Sequence, residues 1–225
     1  MSIHKTVNQN FFKKWGPEMA YVLGFFAADG NMIKNNRGAH FMEFVSIDKE
    51  IIENTRRTLN SNHKITKRIR HEWKPSYRLQ IGSKEIFNDL TRLGMTPNKS
   101  LTIKMPAIPN KYLSHFVRGY FDGDGCVYFK RHQVNDRKKP RWIFQVKFSS
   151  GSKEFLLSLQ SIIKESEICK GGFISNRKSG HELGFSHYDG LALFHFMYDN
   201  VPVDAYLMRK YKTFQKAINT LHLGP

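Results

Sequence analysis

The sequence predicts an α+β fold of two pseudosymmetric halves, each running helix, two strands, helix, two strands, helix, with the halves packed through their first helices. Three observations carry this. An apolar segment ending in Asp-Gly occurs twice, at Tyr21–Gly30 and Phe116–Gly125, and Gly24 and Gly119, Asp29 and Asp124, and Gly30 and Gly125 are each 95 residues apart. Each copy is followed by the same alternation of strand-like and helix-like periodicity. With 225 residues, 40% of them hydrophobic and 18 of them Phe, the chain can bury a substantial core.

The paired glycines say how the halves meet. A mid-helix Gly costs about 0.5–1 kcal/mol relative to Ala, so its use at one register in both copies implies two helices that approach backbone to backbone. A pseudo-twofold pairing then brings Asp29 and Asp124 to the same end. Two carboxylates held close raise each other's pKa and invite a divalent cation.

Taken in order, residues 1–17 are polar and basic and are expected as a loose arm closed by Gly16-Pro17, with Pro17 in the first turn of the first motif helix. The first half is expected over 18–104. A strand follows Gly30, a turn is expected at Asn35-Asn36-Arg37-Gly38, and a second strand at about His40–Ile47. Which face of that strand is buried is ambiguous, because both carry apolar residues. Asp48 is the expected N-cap of a helix running to about Asn60. A basic hairpin comes next: Ile65 and Ile69 alternate with Lys64, Thr66, Arg68 and Arg70, and Tyr77, Leu79 and Ile81 with Arg78 and Gln80, around a turn near Lys74-Pro75-Ser76. Six Lys/Arg against the single acid Glu72 lie between Lys64 and Arg78. Ser83–Leu93 reads as a helix ended at Gly94, and Met105-Pro106-Ala107-Ile108-Pro109 as a stiff connector to the second half, 105–225.

That half repeats the order. Strands are expected at Cys126–His132 and Arg141–Ser149 around a charged turn through Asp136 to Pro140, with Phe144, Val146 and Phe148 on one face and Gln145, Lys147 and Ser149 on the other. Seven Lys/Arg against one acid lie between Lys130 and Lys147. A helix at Ser152–Ser166, a hairpin at 172–186 turning at Lys178-Ser179-Gly180, an aromatic helix near Leu191–Tyr198 and a basic one near Ala205–Leu221 complete it.

Thirty-six Lys+Arg against 19 Asp+Glu leave a net charge of +17 and a pI near 9.9, which favours a polyanionic partner. No apolar run reaches the roughly 18 residues of a membrane span, and the start Met-Ser-Ile-His-Lys carries no signal-peptide core. Cys126 and Cys169 suggest neither a zinc site nor a disulfide framework. An intracellular setting, in cytoplasm or an organelle matrix, is therefore expected.

The segments Val22-Leu23-Gly24-Phe25-Phe26-Ala27-Ala28-Asp29-Gly30 and Val117-Arg118-Gly119-Tyr120-Phe121-Asp122-Gly123-Asp124-Gly125 resemble the repeated motif of the LAGLIDADG homing endonucleases. The second copy is the stronger match. The first has Ala27 where the family often has an acid, yet keeps the terminal Asp29. Two motifs in one chain are similar to the single-chain members, so the resemblance implies a monomer whose antiparallel sheets form a saddle on double-stranded DNA. It implies hydrolysis of both strands of a long pseudo-palindromic target, often by an intron-encoded protein, and no protein partner. The implied cofactor is Mg²⁺, with Mn²⁺ as a possible substitute, since oxygen ligands favour these over Zn²⁺. Asp29 and Asp124 would hold the metals, joined by the backbone carbonyls of Ala28 and Gly123. The resemblance further implies one basic residue per half near the scissile phosphate, matched by Lys99 and Lys210. It also implies a polar residue at the end of the second strand of each half, carried onto Asp48 and Ser150; Asp48 reads equally well as a helix cap. A two-stranded ribbon can enter the major groove, where Arg takes guanine and Gln adenine. Arg68, Arg70, Arg78, Gln80, Lys130, His132, Gln145, Lys147 and Arg177 are the candidates there, undivided between base and phosphate contacts. The alternative is a non-cutting relative, an RNA-splicing maturase or a DNA-binding regulator, which loss of either terminal Asp would favour. An unrelated RNA-binding protein would need aromatics on the exposed sheet faces, whereas most strand aromatics alternate to the inner ones.

Overall fold

The computed structural model of the protein describes residues 4–70, 73–133, 140–202 and 205–223, apart from the side chains of Arg70 and Trp73. The first half runs α1 (Pro17–Asp29), β1 (Gly30–Lys34), β2 (His40–Ser46), α2 (Lys49–Thr58), β3 (Ile65–Arg70), β4 (Trp73–Gly82) and α3 (Lys84–Arg92). The second runs α4 (Leu113–Asp124), β5 (Gly125–His132), β6 (Arg141–Ser150), α5 (Lys153–Glu165), β7 (Phe173–Arg177), β8 (Gly180–Ser186), α6 (His187–Tyr198) and α7 (Met208–Leu221). Each half has one antiparallel four-stranded sheet, ordered β1-β2-β4-β3 and β5-β6-β8-β7. This is the expected α+β architecture of two matched halves, with one helix more at the end of the second. No helix among the described residues is long and apolar enough to cross a membrane.

Helices α1 and α4 form the central seam. Pro17 occupies the first turn of α1, and every residue from Met19 to Ala27 is buried. A helix buried all round cannot face water on any side, so it needs protein on every face. Phe25 and Phe26 pack on Phe44 of one sheet, and Phe121 on Phe148 of the other. Where α1 and α4 cross, a β-carbon on Gly24 would lie 2.1 Å from the Phe116 carbonyl oxygen, and one on Gly119 would lie 2.0 Å from that of Tyr21. The backbones fill the space a side chain would need.

The sheets resolve the ambiguous strand. Met42, Phe44, Leu79 and Ile81 point into the core, leaving Phe41, Glu43, Val45, Arg78 and Gln80 on the outward face. In the second sheet Phe144, Val146, Phe148, Leu183 and Phe185 point inward, and Tyr128, Gln145, Lys147 and Glu182 outward. Ser83 and Ser152 cap α3 and α5 by accepting from the N–H groups of Ile86 and Phe155.

Four expectations need correcting. The amino-terminal arm is not loose: Phe12 is buried, Val7, Phe11 and Trp15 pack on the core, and the backbone of Thr6 and Asn8 bonds to residues 59–62. Its apolar residues are too widely spaced to mark a helix or strand, yet they suffice to dock an extended segment. The β3–β4 hairpin does not turn at 74–76, because β4 already begins at Trp73; Pro75 sits at a bulge opposite Ile69 and beyond the end of β2, where a missing N–H costs least. That bulge lies past the core, and Ile69 is exposed rather than buried. Asp48 stands at the N-cap position of α2 but does not cap it. The expected turn through Asp136 falls largely outside the described residues, as does Glu72.

Replacing Gly24 or Gly119 by Ala should cost about 3 kcal/mol, the upper end for overpacking, because a backbone oxygen cannot rotate away. Thermal unfolding followed by circular dichroism should fall by roughly 6–12 °C for a chain of this size. Gly16→Ala, whose new carbon would meet only Glu18 at 3.9 Å, should unfold close to the parent.

Candidate active site

The helix pair ends in the two motif carboxylates. A β-carbon built on Gly123 would touch the Ala28 side chain and lie 3.3 Å from Asp29 Oδ2, so the ends of α1 and α4 meet side by side. Asp29 and Asp124 are both partly buried there. Asp29 is pushed up to about 7, first by burial and then by the charge of Asp124, against the pull of Lys210 and Lys99. Burial also raises Asp124, opposed by the same two lysines. Among the described residues no group of three or more His, Cys, Asp or Glu converges.

Lys99 and Lys210 take equivalent places. Lys99 Nζ lies 5.5 Å from the ring centroid of Phe26 and Lys210 Nζ 5.2 Å from that of Phe121, and these rings occupy the same motif position. Lys99 donates to the Gly30 carbonyl, and Lys210 to those of Phe121, Asp122 and Gly123 at 2.6, 2.9 and 3.2 Å. The carbonyl ends of helices favour cations. Both lysines are buried, and burial lowers each to about 8, against the opposing pull of the nearby carboxylates. The Gly123 carbonyl therefore already accepts one hydrogen bond.

The two strand-end residues part company. Ser150 is buried, and its Oγ accepts from the Ser152 N–H at 3.1 Å. In the first half the matching bond runs from the Asp48 N–H to Ser46 Oγ at 3.2 Å. The counterpart of Ser150 is thus Ser46, and Asp48 corresponds to the cap Ser152. Asp48 cannot cap, because Arg209 of the other half grips its carboxylate with two bonds of 2.8 and 2.6 Å. Ser150 lines a cavity of about 280 Å³ with Asp124, Arg177 and His181.

The candidate groove residues all lie on strands, and those with described side chains are on the outward faces, but few stand free. Arg68 is exposed, and the side chain of Arg70 lies outside the described set. Arg78 and Gln80 both donate to Glu43. Lys147 and Arg177 both pair with Glu182. Lys130 and Lys147 lie over the Tyr128 ring, whose hydroxyl bonds to His132, and Gln145 is half-buried.

Sequence reasoning passed over Arg118 and Asp122. Arg118 is buried and donates to the Ala205 and Met197 carbonyls at 3.1 and 3.0 Å. Asp122 accepts from the Tyr21 hydroxyl at 2.8 Å and the Leu207 N–H at 2.9 Å, which ties α4 to α1 and to the start of α7. A charged pair four residues apart inside an otherwise buried helix was the available signal.

A carboxyl raised from the usual value near 3.9 binds its proton more readily in the folded chain, so it costs stability once pH passes its folded value and less as pH falls toward about 4. In chelator, Asp29→Asn should therefore melt above the parent at pH 8, with the gap narrowing toward pH 5. A gap independent of pH would show that Asp29 is not held in this state.

The model of the LAGLIDADG-like domain matches residues 16–93 and 111–182. Comparison with curated protein sequences gives no match. Solved structures share the fold. Meganuclease I-SmaMI bound to uncleaveable DNA aligns with a TM-score of 0.59 at 15% identity over 89% of each chain. I-AabMI bound to uncleaved DNA gives 0.62 at 12%, over 93% of this chain and 91% of that one. The LAGLIDADG homing endonuclease I-LtrWI bound to target DNA gives 0.60 at 13%, over 96% and 92%. With matched segments that take in both motif helices, the first sheet and the second sheet as far as residue 182, the chain belongs to the LAGLIDADG-like domain family.

Proposed function

We propose that this protein is a site-specific, divalent-metal-dependent DNA endonuclease that cuts both strands of a long pseudo-palindromic target as a monomer. The observation that carries the reading is the meeting of Asp29 and Asp124 at the ends of the two motif helices, from which both sheets start. Solved relatives of the fold named as meganucleases on DNA support it, as does a structure of I-SmaMI on uncleaved DNA with calcium ions, with a TM-score of 0.61.

The donor set fits a hard cation. Asp29 and Asp124 offer oxygen only, and their ionised forms are disfavoured by burial, so a bound cation would relieve a cost already present. Ala28 and Gly123 would add carbonyl oxygens, and Mg²⁺ or Mn²⁺ suits such ligands. When bound, such ions supply an activated water, neutralise charge at phosphorus and stabilise the leaving 3′ oxygen. Lys99 and Lys210, held by backbone carbonyls at the ends of the motif helices, place one cation per half beside the carboxylates, where they would act on the solvent around the phosphate. Ser150 lines the cavity beside Asp124, and Asp48 acts through Arg209 as a brace between the halves. From the strands of the two sheets, Arg68, Arg70, Arg78, Gln80, Lys130, His132, Gln145, Lys147 and Arg177 meet the groove.

Asp29→Asn and Asp124→Asn keep size and shape while removing one negative charge. Each should bind target duplex at least as tightly as the parent and make no double-strand break in Mg²⁺, measured by gel shift and cleavage of the same labelled duplex. Cutting of both strands at the parental rate by both variants would remove the pair from the chemistry and favour the maturase or regulator reading. Binding should also weaken steeply with salt, with a log–log slope of about −4 or steeper, since each neutralised phosphate contributes about −0.9. Titration at four ionic strengths that gave a slope near zero would take the basic faces out of the interface.

A further inference from the structure

Each outward sheet face carries an acid deep among its cations. Glu43 is only 7% exposed, although it lies on the outward side of β2. It is covered by Arg78 and Gln80, both of which donate to its Oε2. Glu182 of β8 has a side chain 15% exposed, and it receives Lys147 at 3.1 Å and also Arg177. A buried carboxylate is costly unless it is paired, and a basic, phosphate-binding face has no electrostatic use for one. Both acids therefore answer to something other than overall attraction.

Strand register relates the two. The strand-end serines Ser46 and Ser150 are equivalent, and β2 pairs Ser46 with Tyr77 as β6 pairs Ser150 with His181. Both steps are 104 residues. The same step carries Glu43 onto Lys147 and Arg78 onto Glu182. In each half these two residues sit diagonally across the same strand pair and form an ion pair. The halves thus hold one ion pair at one place, with its polarity reversed: acid on β2 and base on β4 in the first half, base on β6 and acid on β8 in the second.

We infer that Glu43–Arg78 and Lys147–Glu182 form a charge-reversed specificity pair that makes the protein reject a palindromic base pair where each half meets the groove. The inference rests on the reading that the outward faces meet DNA. In the major groove guanine offers acceptors and the cytosine amino group is a donor. A twofold-symmetric duplex would bring the same groove pattern to both pairs. It would meet the cation of the pair over β4 in the first half but over β6 in the second, so one pattern could not satisfy both halves. Each acid also fixes two neighbouring donors, which limits the bases those donors reach. Since the ion pair itself is neutral, it discriminates by pattern and adds little to phosphate attraction.

The test swaps the polarity of one half. Glu43→Lys combined with Arg78→Glu preserves the pair and the net charge while giving the first half the polarity of the second, and thermal melting verifies its fold. Parent and variant each select binders, in chelator, from a randomised duplex library that is then sequenced. The parent should enrich sites whose half-sites differ at the base pairs under these residues. The swapped variant should change preference by about tenfold or more at one to three base pairs of one half-site only, toward the inverted repeat of the other. Glu43→Gln, which frees Arg78 without reversing it, should broaden preference at the same positions. Preferences within about twofold of the parent in both variants would overturn the inference while leaving DNA binding intact. Failure of the parent to enrich any sequence would overturn it together with the proposed function.

Discussion

The close approach of α1 and α4 at Gly24 and Gly119 is the constraint on which the other features depend. With a carbonyl oxygen where each β-carbon would be, the helices share one backbone-to-backbone contact and their ends are fixed relative to each other. That contact sets how near Asp29 and Asp124 lie. It also sets where each sheet hangs, because β1 and β5 follow directly from the helix ends at Gly30 and Gly125. One residue of each helix, Phe26 or Phe121, then supplies the ring on which the lysine of its own half rests. Site, sheets and lysines are thus placed by one seam rather than by separate devices.

The seam brings buried charge with it, and the balance of that charge differs between the halves. Two carboxylates and two lysines at its end offset one another without forming direct ion pairs: the lysines spend their hydrogens on backbone carbonyls. The second half adds Asp122, held by Tyr21 and by the backbone of Leu207, where the first half has Ala27. Asp122 joins α1, α4 and the segment leading into α7, and α7 carries Lys210 and Arg209. Arg209 in turn grips Asp48 of the first half. The acid that looks like a third motif carboxylate in the sequence therefore works in the fold as a strut under one lysine.

How legible all this was depended on the range of the forces involved. The motif helices, the capped helices α3 and α5 and the inward Phe144, Val146 and Phe148 follow from local periodicity and capping, which neighbouring residues determine. Glu43 was hidden because its partners, Arg78 and Gln80, lie 35 and 37 residues away, and an acid between Met42 and Phe44 gives no local sign of which face it takes. Asp48 reads as a cap because a cap and an ion pair use the same carboxylate, and its competitor Arg209 is 161 residues distant. Nothing local marks the docked arm, because Val7, Phe11, Phe12 and Trp15 follow no regular period. The proximity of Asp29 and Asp124 could be read only because a repeat turns a distance in sequence into a relation in space.

The two halves depart from symmetry in complementary ways. The step relating them is 95 residues at the motif aspartates and 104 at the strand-end serines, so the second half has nine more residues in its first hairpin. Six of them lengthen strands: β5 and β6 have 8 and 10 residues, against 5 and 7 for β1 and β2. In the second hairpin the first half is longer, with 6 and 10 residues in β3 and β4 against 5 and 7 in β7 and β8. At about 3.3 Å per residue, each difference of three residues moves a strand end by about 10 Å, three base-pair steps of a duplex. Strands β1 and β5 lead away from the motif end, whereas the tips of the second hairpins return toward it, since β8 begins beside Ser150. One half therefore reaches outward where the other reaches toward the centre. A core that requires matched helices thus carries surfaces free to differ, and the charge-reversed pairs lie on those surfaces.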